Sequence, residues 1–87
     1  MEDQNTIYFY VVKVRSDDDD WTIGYRDCET LEEAQRRINI DIHCQFDDFF
    51  RYEISGNEKT RDIWDRKEKK FVRHYRIELY KAIKVGA

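Results

Sequence analysis

Residues 7–14 constrain the fold of this chain more than any other stretch. Their letters, IYFYVVKV, are apolar or aromatic at nearly every position and rich in β-branched side chains. A run of this kind is typical of a β-strand that has neighbours on both sides and is covered on both faces over much of its length. We therefore predict a strand in the middle of a sheet.

A second strand is predicted just beyond an acidic run. Trp21, Ile23 and Tyr25 alternate with polar residues or glycine, which is the period of a half-buried strand. The letters DDDD at positions 17–20 lie between the two strand segments. The two strands and this acidic loop are therefore expected to form a hairpin.

A helix is predicted to begin after Thr30. The letters TLEE fit a capping box, in which the Thr30 hydroxyl accepts from the N–H of Glu33 and the Glu33 carboxylate reaches back to the N–H of Thr30. Strict alternation of apolar residues over 38–46 is a competing strand signal. The cap favours a helix through about position 43, which turns Ile40 and Cys44 away from the core and makes them candidates for a partner or dimer contact. The apolar residues at helical spacing are Leu31, Ala34, Ile38 and Ile42.

Three further strands complete the predicted order of elements. Residues 50–54 alternate, with Phe50 on the apolar parity, and end at a Gly-Asn turn signal. Residues 60–66 form the next strand, and the letters KEKK at 67–70 form the loop of a hairpin. Residues 71–85 are predicted to be a long closing strand.

This order predicts the fold class. Strand, strand, helix, strand, strand, strand with short connections indicates an α+β fold, a twisted antiparallel sheet of four to five strands with one helix packed on one face. The chain has 87 residues, which is enough for only one hydrophobic core. Residues 1–87 are therefore expected to form a single domain.

The composition predicts a folded chain in the cytoplasm. Forty per cent of the residues are charged and 15% are aromatic, which is too much packing material for a disordered chain. Residues 1–5 are polar and acidic, unlike a secretory signal, and no apolar run approaches the roughly 18 residues that cross a bilayer. No membrane contact is expected. Cys28 and Cys44 form no C-x-x-C pair and are expected to be small apolar thiols, buried or half-buried.

Residues that carry catalysis or bind metals are sparse. His43 and Cys44 are adjacent, but neighbouring side chains point in different directions in a helix or a strand and make a poor catalytic dyad. The Asp run lacks the glycine and the distant glutamate of a calcium loop, and three isolated glycines cannot build a phosphate-binding loop. We therefore expect no enzymatic activity, no metal and no cofactor.

Charge is divided unequally along the chain. Residues 1–50 carry 13 acidic and 5 basic residues, a net charge of −8, while residues 51–87 carry 6 acidic and 11 basic residues, a net charge of +5. Carboxylates on a small rigid domain can imitate the phosphates of a nucleic acid and occupy a groove on another protein. The predicted acidic partner-binding surface comprises Asp17, Asp18, Asp19, Asp20, Trp21, Glu32, Glu33, Asp47 and Asp48.

A basic hairpin supplies an alternative surface. Cations surround aromatic residues between positions 64 and 76, where lysine and arginine could contact phosphates while the rings stack on bases. The predicted nucleic-acid-binding residues are Arg66, Lys67, Lys69, Lys70, Arg73 and Arg76.

Three stretches together suggest a kind of protein: ETLEEAQRRI, FFRYEIS and RDIWDRKEKKFV. In this order, after two strands, they resemble small helix-on-sheet proteins carried by phages and mobile elements, including several anti-CRISPR proteins. The resemblance implies a protein that binds a host defence or replication protein, or a nucleoprotein complex, and blocks it without catalysis. A non-enzymatic inhibitor in the host cytoplasm is thus the leading expectation. A nucleic-acid-binding module is the alternative, and a homodimerising subunit is a third hypothesis.

Overall fold

The structure is a computed structural model and describes residues 6–83. Its elements are β1 (Thr6–Ser16), β2 (Thr22–Cys28), α1 (Leu31–Gln45), β3 (Tyr52–Ser55), β4 (Thr60–Asp65) and β5 (Lys70–Ile83). In the described part of the chain, no helix is both long and apolar enough to cross a membrane.

The five strands form one antiparallel sheet. The strand order is β2-β1-β5-β4-β3, so β1 has a neighbour on each side, as predicted. β1 and β5 pair from Thr6, opposite Ile83, to Ser16, opposite Arg73. The predicted α+β class and the predicted order of elements are confirmed.

Helix α1 packs across one face of this sheet and closes the core. The hydroxyl of the buried Tyr75 donates to the carboxylate of Asp41 on α1. Burial, and after it this hydrogen bond, raises the pKa of the Tyr75 phenol, so the phenol stays protonated as a donor. The buried cluster between helix and sheet comprises Val12, Cys28, Ala34, Ile38, Ile42, Phe46, Ile63, Tyr75 and Ile77.

The predicted cap begins α1, with one difference. Thr30 Oγ1 accepts from the N–H of Glu33 at 3.0 Å. The Glu33 carboxylate accepts from the N–H of Glu29 at 3.0 Å and not from that of Thr30, so it reaches one residue further back than predicted. The helix continues two residues past position 43, which settles residues 38–46 in favour of helix. Ile40 and Cys44 are exposed as the helical alternative predicted, and only the cysteine of β2 is buried.

The prediction that both faces of β1 are covered over much of its length holds in part. Val11 and Val12 are buried, seven other residues are half-buried, and Ile7 and Tyr8 are exposed. Val12 faces α1, while Val11 lies on the opposite face, which we call the open face, in a groove lined by Phe9, Ile23 and Tyr80 among others. The helix supplies a layer on one side only, so the open face is shielded locally by its own large side chains.

Strand β2 departs from regular alternation. Tyr25 lies opposite Val12 and packs against the core, whereas Ile23 lies opposite Lys13 on the open face. From the Val12–Tyr25 pair to the Lys13–Ile23 pair, β1 moves on by one residue and β2 by two. Gly24 is therefore the extra residue of a β-bulge. A bulge of this kind reverses the faces of the residues that follow it, which the simple period of two does not predict.

Strand β3 is shorter than predicted and begins at Tyr52. Phe50 therefore lies before the strand, and its predicted place on the apolar parity of a strand is wrong. The backbone of residues 49–51 turns instead of extending. β5 begins at Lys70, so the predicted hairpin loop of residues 67–70 is one residue too long. Residues 84–85 of the predicted closing strand lie outside the described residues.

Candidate functional site

The most exposed aromatic side chains among residues 6–83 lie between α1 and β3. Phe50 is 94% exposed and Phe49 is 59% exposed. Single exposed apolar residues are common, but two adjacent phenylalanines in water form a contiguous patch of the kind that marks an interaction site. We call residues 47–51 the Phe loop.

Asp48 folds the Phe loop into a tight turn. Its Oδ1 accepts from the N–H of Phe50 at 3.1 Å and of Arg51 at 3.3 Å. Its carbonyl accepts from the N–H of Arg51 at 3.1 Å and of Tyr52 at 2.9 Å. Aspartate side chains stabilise turns by local bonds of this type. Both ends of the loop are anchored in the core, because the rings of Phe46 and Tyr52 pack edge to face with their centroids 5.0 Å apart.

Two arginines tie the Phe loop to the turn between β4 and β5. Arg66 Nη1 donates to the carbonyls of Phe49 at 3.1 Å and Phe50 at 3.3 Å. Arg51 forms a bidentate ion pair with Asp65, with Nε 3.1 Å from Oδ1 and Nη2 2.9 Å from Oδ2. Two parallel charge-assisted bonds fix the orientation of the guanidinium as well as its position.

Asp65 is the buried charge at the centre of this arrangement. Its carboxylate also accepts from the N–H of Lys67 at 2.9 Å and of Glu68 at 3.2 Å. The bonds from Arg51, with those from the two backbone N–H groups, outweigh the effect of burial and lower the pKa of Asp65 to about 2. A buried carboxylate needs such partners to remain charged, so Asp65 binds the Phe loop to the turn in addition to the bonds from Arg66.

The predicted acidic residues fall at two ends of the domain. α1 ends beside Arg73 of β5, which donates to the last helical residue at 3.2 Å and lies opposite Ser16 at the end of β1. Residues 47–48 and residues 17–20 therefore share one end. Residues 32–33 lie at the start of α1, about 20 Å away along a helix of this length.

The β4–β5 turn separates the two acidic groups that share an end. β5 and β4 lie between β1 and β3 in the sheet, so residues 66–69 stand between the Asp run and the Phe loop. Asp17 pairs with Lys70 at 3.0 Å, which neutralises part of the run. The predicted acidic residues thus form separate patches divided by cations.

Trp21 lies on the open face and is half-buried. The guanidinium of Arg76 lies 4.5 Å from the centroid of its ring, and that of Arg15 lies 5.4 Å away. Cations over an indole at these distances are attracted by the ring. The Trp21 ring is therefore covered by two arginines of the same chain.

The predicted basic residues are dispersed as well. Arg73 lies on the helix face, 3.7 Å from the Asp41 carboxylate. Arg76 lies on the open face and pairs with Glu78 at 2.9 Å. The other four surround the β4–β5 turn, so the six cations do not share one surface.

Histidines and cysteines are spread over the fold. Among the described residues, no group of three or more histidine, cysteine, aspartate or glutamate side chains is placed to hold a metal ion. His43 lies on α1 with its ring centroid 6.5 Å from that of Phe49. His74 on β5 is 2.7 Å from an Asp62 oxygen.

The sequence did not single out Phe49 and Phe50, although Asp47 and Asp48 of the Phe loop belong to the predicted acidic surface. Adjacent residues of a strand point to opposite faces, so Phe49 and Phe50 could not both enter one core. That pair of letters, between two aspartates and an arginine, is the local signal that could have singled the loop out. No local pattern links Arg51 to Asp65, because they are 14 residues apart.

Comparisons with known proteins supply no relative for this chain. No protein-family model, curated protein or solved structure gives a significant match.

The Asp65 ion pair predicts a specific pH dependence of stability. The pKa of Asp65 is about 2 in the folded chain and ordinarily 3.8, so its contribution to the free energy of unfolding is fully present above about pH 3.8 and is lost as the pH falls towards 2. Asp65→Asn should unfold at a lower urea concentration than wild type at pH 7. The difference between the urea midpoints of the two proteins should become smaller as the pH falls from 3.8 to 2.

Asp47→Asn is the matched control for this measurement because its side chain is exposed. At pH 7 it should unfold at the same urea concentration as wild type. A gap between wild type and Asp65→Asn that stays constant from pH 7 to pH 2 would contradict the assignment of the buried charge.

Proposed function

We propose that this protein is a non-enzymatic binding module that inserts Phe50 into a pocket of a partner protein. The observation that carries the proposal is a phenylalanine left almost wholly in water by a loop that is fixed at both ends. Loops held rigidly over a scaffold are common places for binding residues. Aromatic anchors that fill a partner's pocket dominate the binding energy of many interfaces.

The energetics favour this use of the Phe loop. Full burial of a phenylalanine side chain is worth about 2–3 kcal/mol from the apolar area removed from water. Ordering a flexible loop on binding would cost part of that gain. The bonds from Asp48 and Arg66 to the loop backbone already hold it in one conformation, so little of this cost remains.

Charged groups surround the anchor as the rim of an interface would. Phe50 stands at the edge of a shallow groove that is also lined by Asp48, Arg51, Arg66 and Lys67. Polar rims around an aromatic centre are typical of protein interfaces and choose between partners. A partner with a hydrophobic pocket flanked by both signs of charge would fit this end of the domain.

A narrower form of the proposal makes the module an inhibitor of a host defence or nucleic-acid-handling complex. The exposed aspartates at 17–20 lie at the same end of the domain as the Phe loop, and the net charge of the chain is −3. Carboxylates there would be attracted to a basic nucleic-acid groove and would steer the encounter. Phe50 would then supply the short-range contact.

Phe50→Ser tests the anchor. Tagged wild type and Phe50→Ser are used to retain proteins from a nuclease-treated bacterial lysate, so that bridging by nucleic acid is removed. We expect the variant to retain the wild-type partner at least about tenfold less, since a lost contact worth 1.4 kcal/mol changes the affinity tenfold. Circular dichroism should show the same fold, because the side chain packs on little else.

Phe71→Ser is the matched control, since it makes the same change at an exposed phenylalanine of the open face. It should retain the partner as wild type does. Equal retention by wild type and Phe50→Ser, or equal loss in both variants, would count against the Phe loop.

The acidic run is tested separately by neutralising it. Replacing Asp17, Asp18, Asp19 and Asp20 by Asn and Ser should slow association with the retained partner several-fold at low salt, with a smaller effect as salt screens the charges. Surface plasmon resonance measures the association rate directly. An unchanged association rate at low salt would contradict a steering role for these aspartates. It would not bear on the role of Phe50.

A further inference from the structure

A narrow groove lies on the open face between β2, β1 and β5, and we call it the Tyr80 groove. Its volume is about 180 Å³. The rings of Phe9 and Tyr80 stand in it with their centroids 6.0 Å apart, and the buried Val11 forms part of its base. A groove with aromatic and apolar walls suits a small flat ring. Its lining residues are Phe9, Val11, Ile23, Arg26, Asp27 and Tyr80.

A row of cations continues from the Tyr80 groove along β1 and β5. Lys13 Nζ lies 5.4 Å from the centroid of the Tyr80 ring, at the rim of the groove. Arg76 lies opposite Lys13 in the β1–β5 ladder. The guanidinium groups of Arg76 and Arg15 both lie over the Trp21 ring. Lys13, Arg76 and Arg15 therefore form a line that leads away from the groove, and we call it the cation row.

Cations outnumber carboxylates on this half of the open face. Lys13 and Arg76 share one carboxylate, that of Glu78, with a distance of 2.9 Å to each. Other acidic side chains of the open face, Glu53 and Asp62, lie on β3 and β4. The whole chain has a net charge of −3, so this excess of positive charge is local and favours an anionic ligand. Over β2, β1 and β5 the open face carries the cations Lys13, Arg15, Arg26 and Arg76 and the carboxylates Asp27 and Glu78.

We propose that this half of the open face binds a single-stranded nucleic acid, with one base in the Tyr80 groove and the phosphates that follow it on the cation row. Sites for single strands combine aromatic rings, on which bases stack, with cations that track the backbone. Sheet faces that carry aromatic rings serve this purpose in other proteins. A base that is paired in a duplex is not free to enter the groove, so the site selects single strands.

The length of the cation row favours a chain of nucleotides over a single nucleotide. Phe9 and Arg15 are six residues apart on β1, which is about 20 Å along a strand. A mononucleotide with its base in the groove does not reach Arg15. The Asp run directly precedes Trp21 and repels phosphates, so a bound strand is expected to end at Arg15. This site is separate from the basic hairpin that the sequence predicted, since only Arg76 is common to both.

Fluorescence anisotropy with labelled DNA and RNA strands of about ten nucleotides tests the proposal. Wild type should bind at least one of them with a dissociation constant below about 100 µM at low salt. Three phosphate contacts predict binding about twentyfold weaker at 200 mM than at 50 mM salt. A duplex of the same sequence should bind at least about tenfold more weakly than the single strand. The tighter of the DNA and RNA strands identifies the kind of nucleic acid.

Two pairs of variants test the residues. Arg15→Gln should weaken binding several-fold and make it less dependent on salt, because one phosphate contact is lost. Arg36→Gln is its matched control, since Arg36 is exposed on α1, on the other side of the sheet, and it should bind as wild type does. Tyr80→Ser should weaken binding at least about tenfold through the lost stacking. Its control is Tyr8→Ser, because Tyr8 is exposed on the opposite face of β1. Circular dichroism checks the fold of each variant.

Several results would overturn the proposal. These are the absence of binding to both DNA and RNA at low salt, equal binding of duplex and single strand, and equal effects of Arg15→Gln and Arg36→Gln. Displacement of the labelled strand by polyglutamate as effectively as by unlabelled strand would show attraction to any polyanion, and would overturn it too. These measurements use the protein alone, so they do not depend on the partner of the Phe loop.

Discussion

The ion pair between Arg51 and Asp65 is the interaction on which the candidate site depends. A carboxylate taken out of water destabilises a fold unless its oxygens are bonded. Asp65 meets this demand with a guanidinium from the Phe loop and two N–H groups from the β4–β5 turn. The partners of this one buried charge therefore join two loops, which Arg66 also connects through its bonds to the carbonyls of Phe49 and Phe50. Phe50 is exposed at the point where they join.

A single helix over a five-stranded sheet shapes the rest of the surface. α1 covers the middle of one face, so the open face is protected by its own arginines and aromatic rings. The Phe loop lies where this helix ends.

The sequence predicted elements whose cause is local and failed where the cause is distant. The capping box of Thr30 and the alternation in the strands depend on neighbours in the chain, and both led to the correct fold class. The bulge at Gly24 depends on the register between strands, which no single segment specifies. The turn before Tyr52 does have a local cause in Asp48, but the alternation of Phe50, Tyr52 and Ile54 favoured a strand there. The assembly of charges into surfaces depends on strand order. One part of this assembly was predictable from the sequence alone. Arg73 and Arg76 are three residues apart, which places them on opposite faces of a strand.

Backbone ¹⁵N relaxation tests whether the Asp65 ion holds the Phe loop, and with it Phe50, in a fixed position in water. We expect order parameters for the amides of Phe49, Phe50 and Arg51 close to the value of about 0.85 that is typical of rigid backbone. The same amides should lose order in Asp65→Asn. Order parameters below about 0.6 in the wild-type loop would contradict the claim, because a mobile loop would not present Phe50 as a preformed anchor.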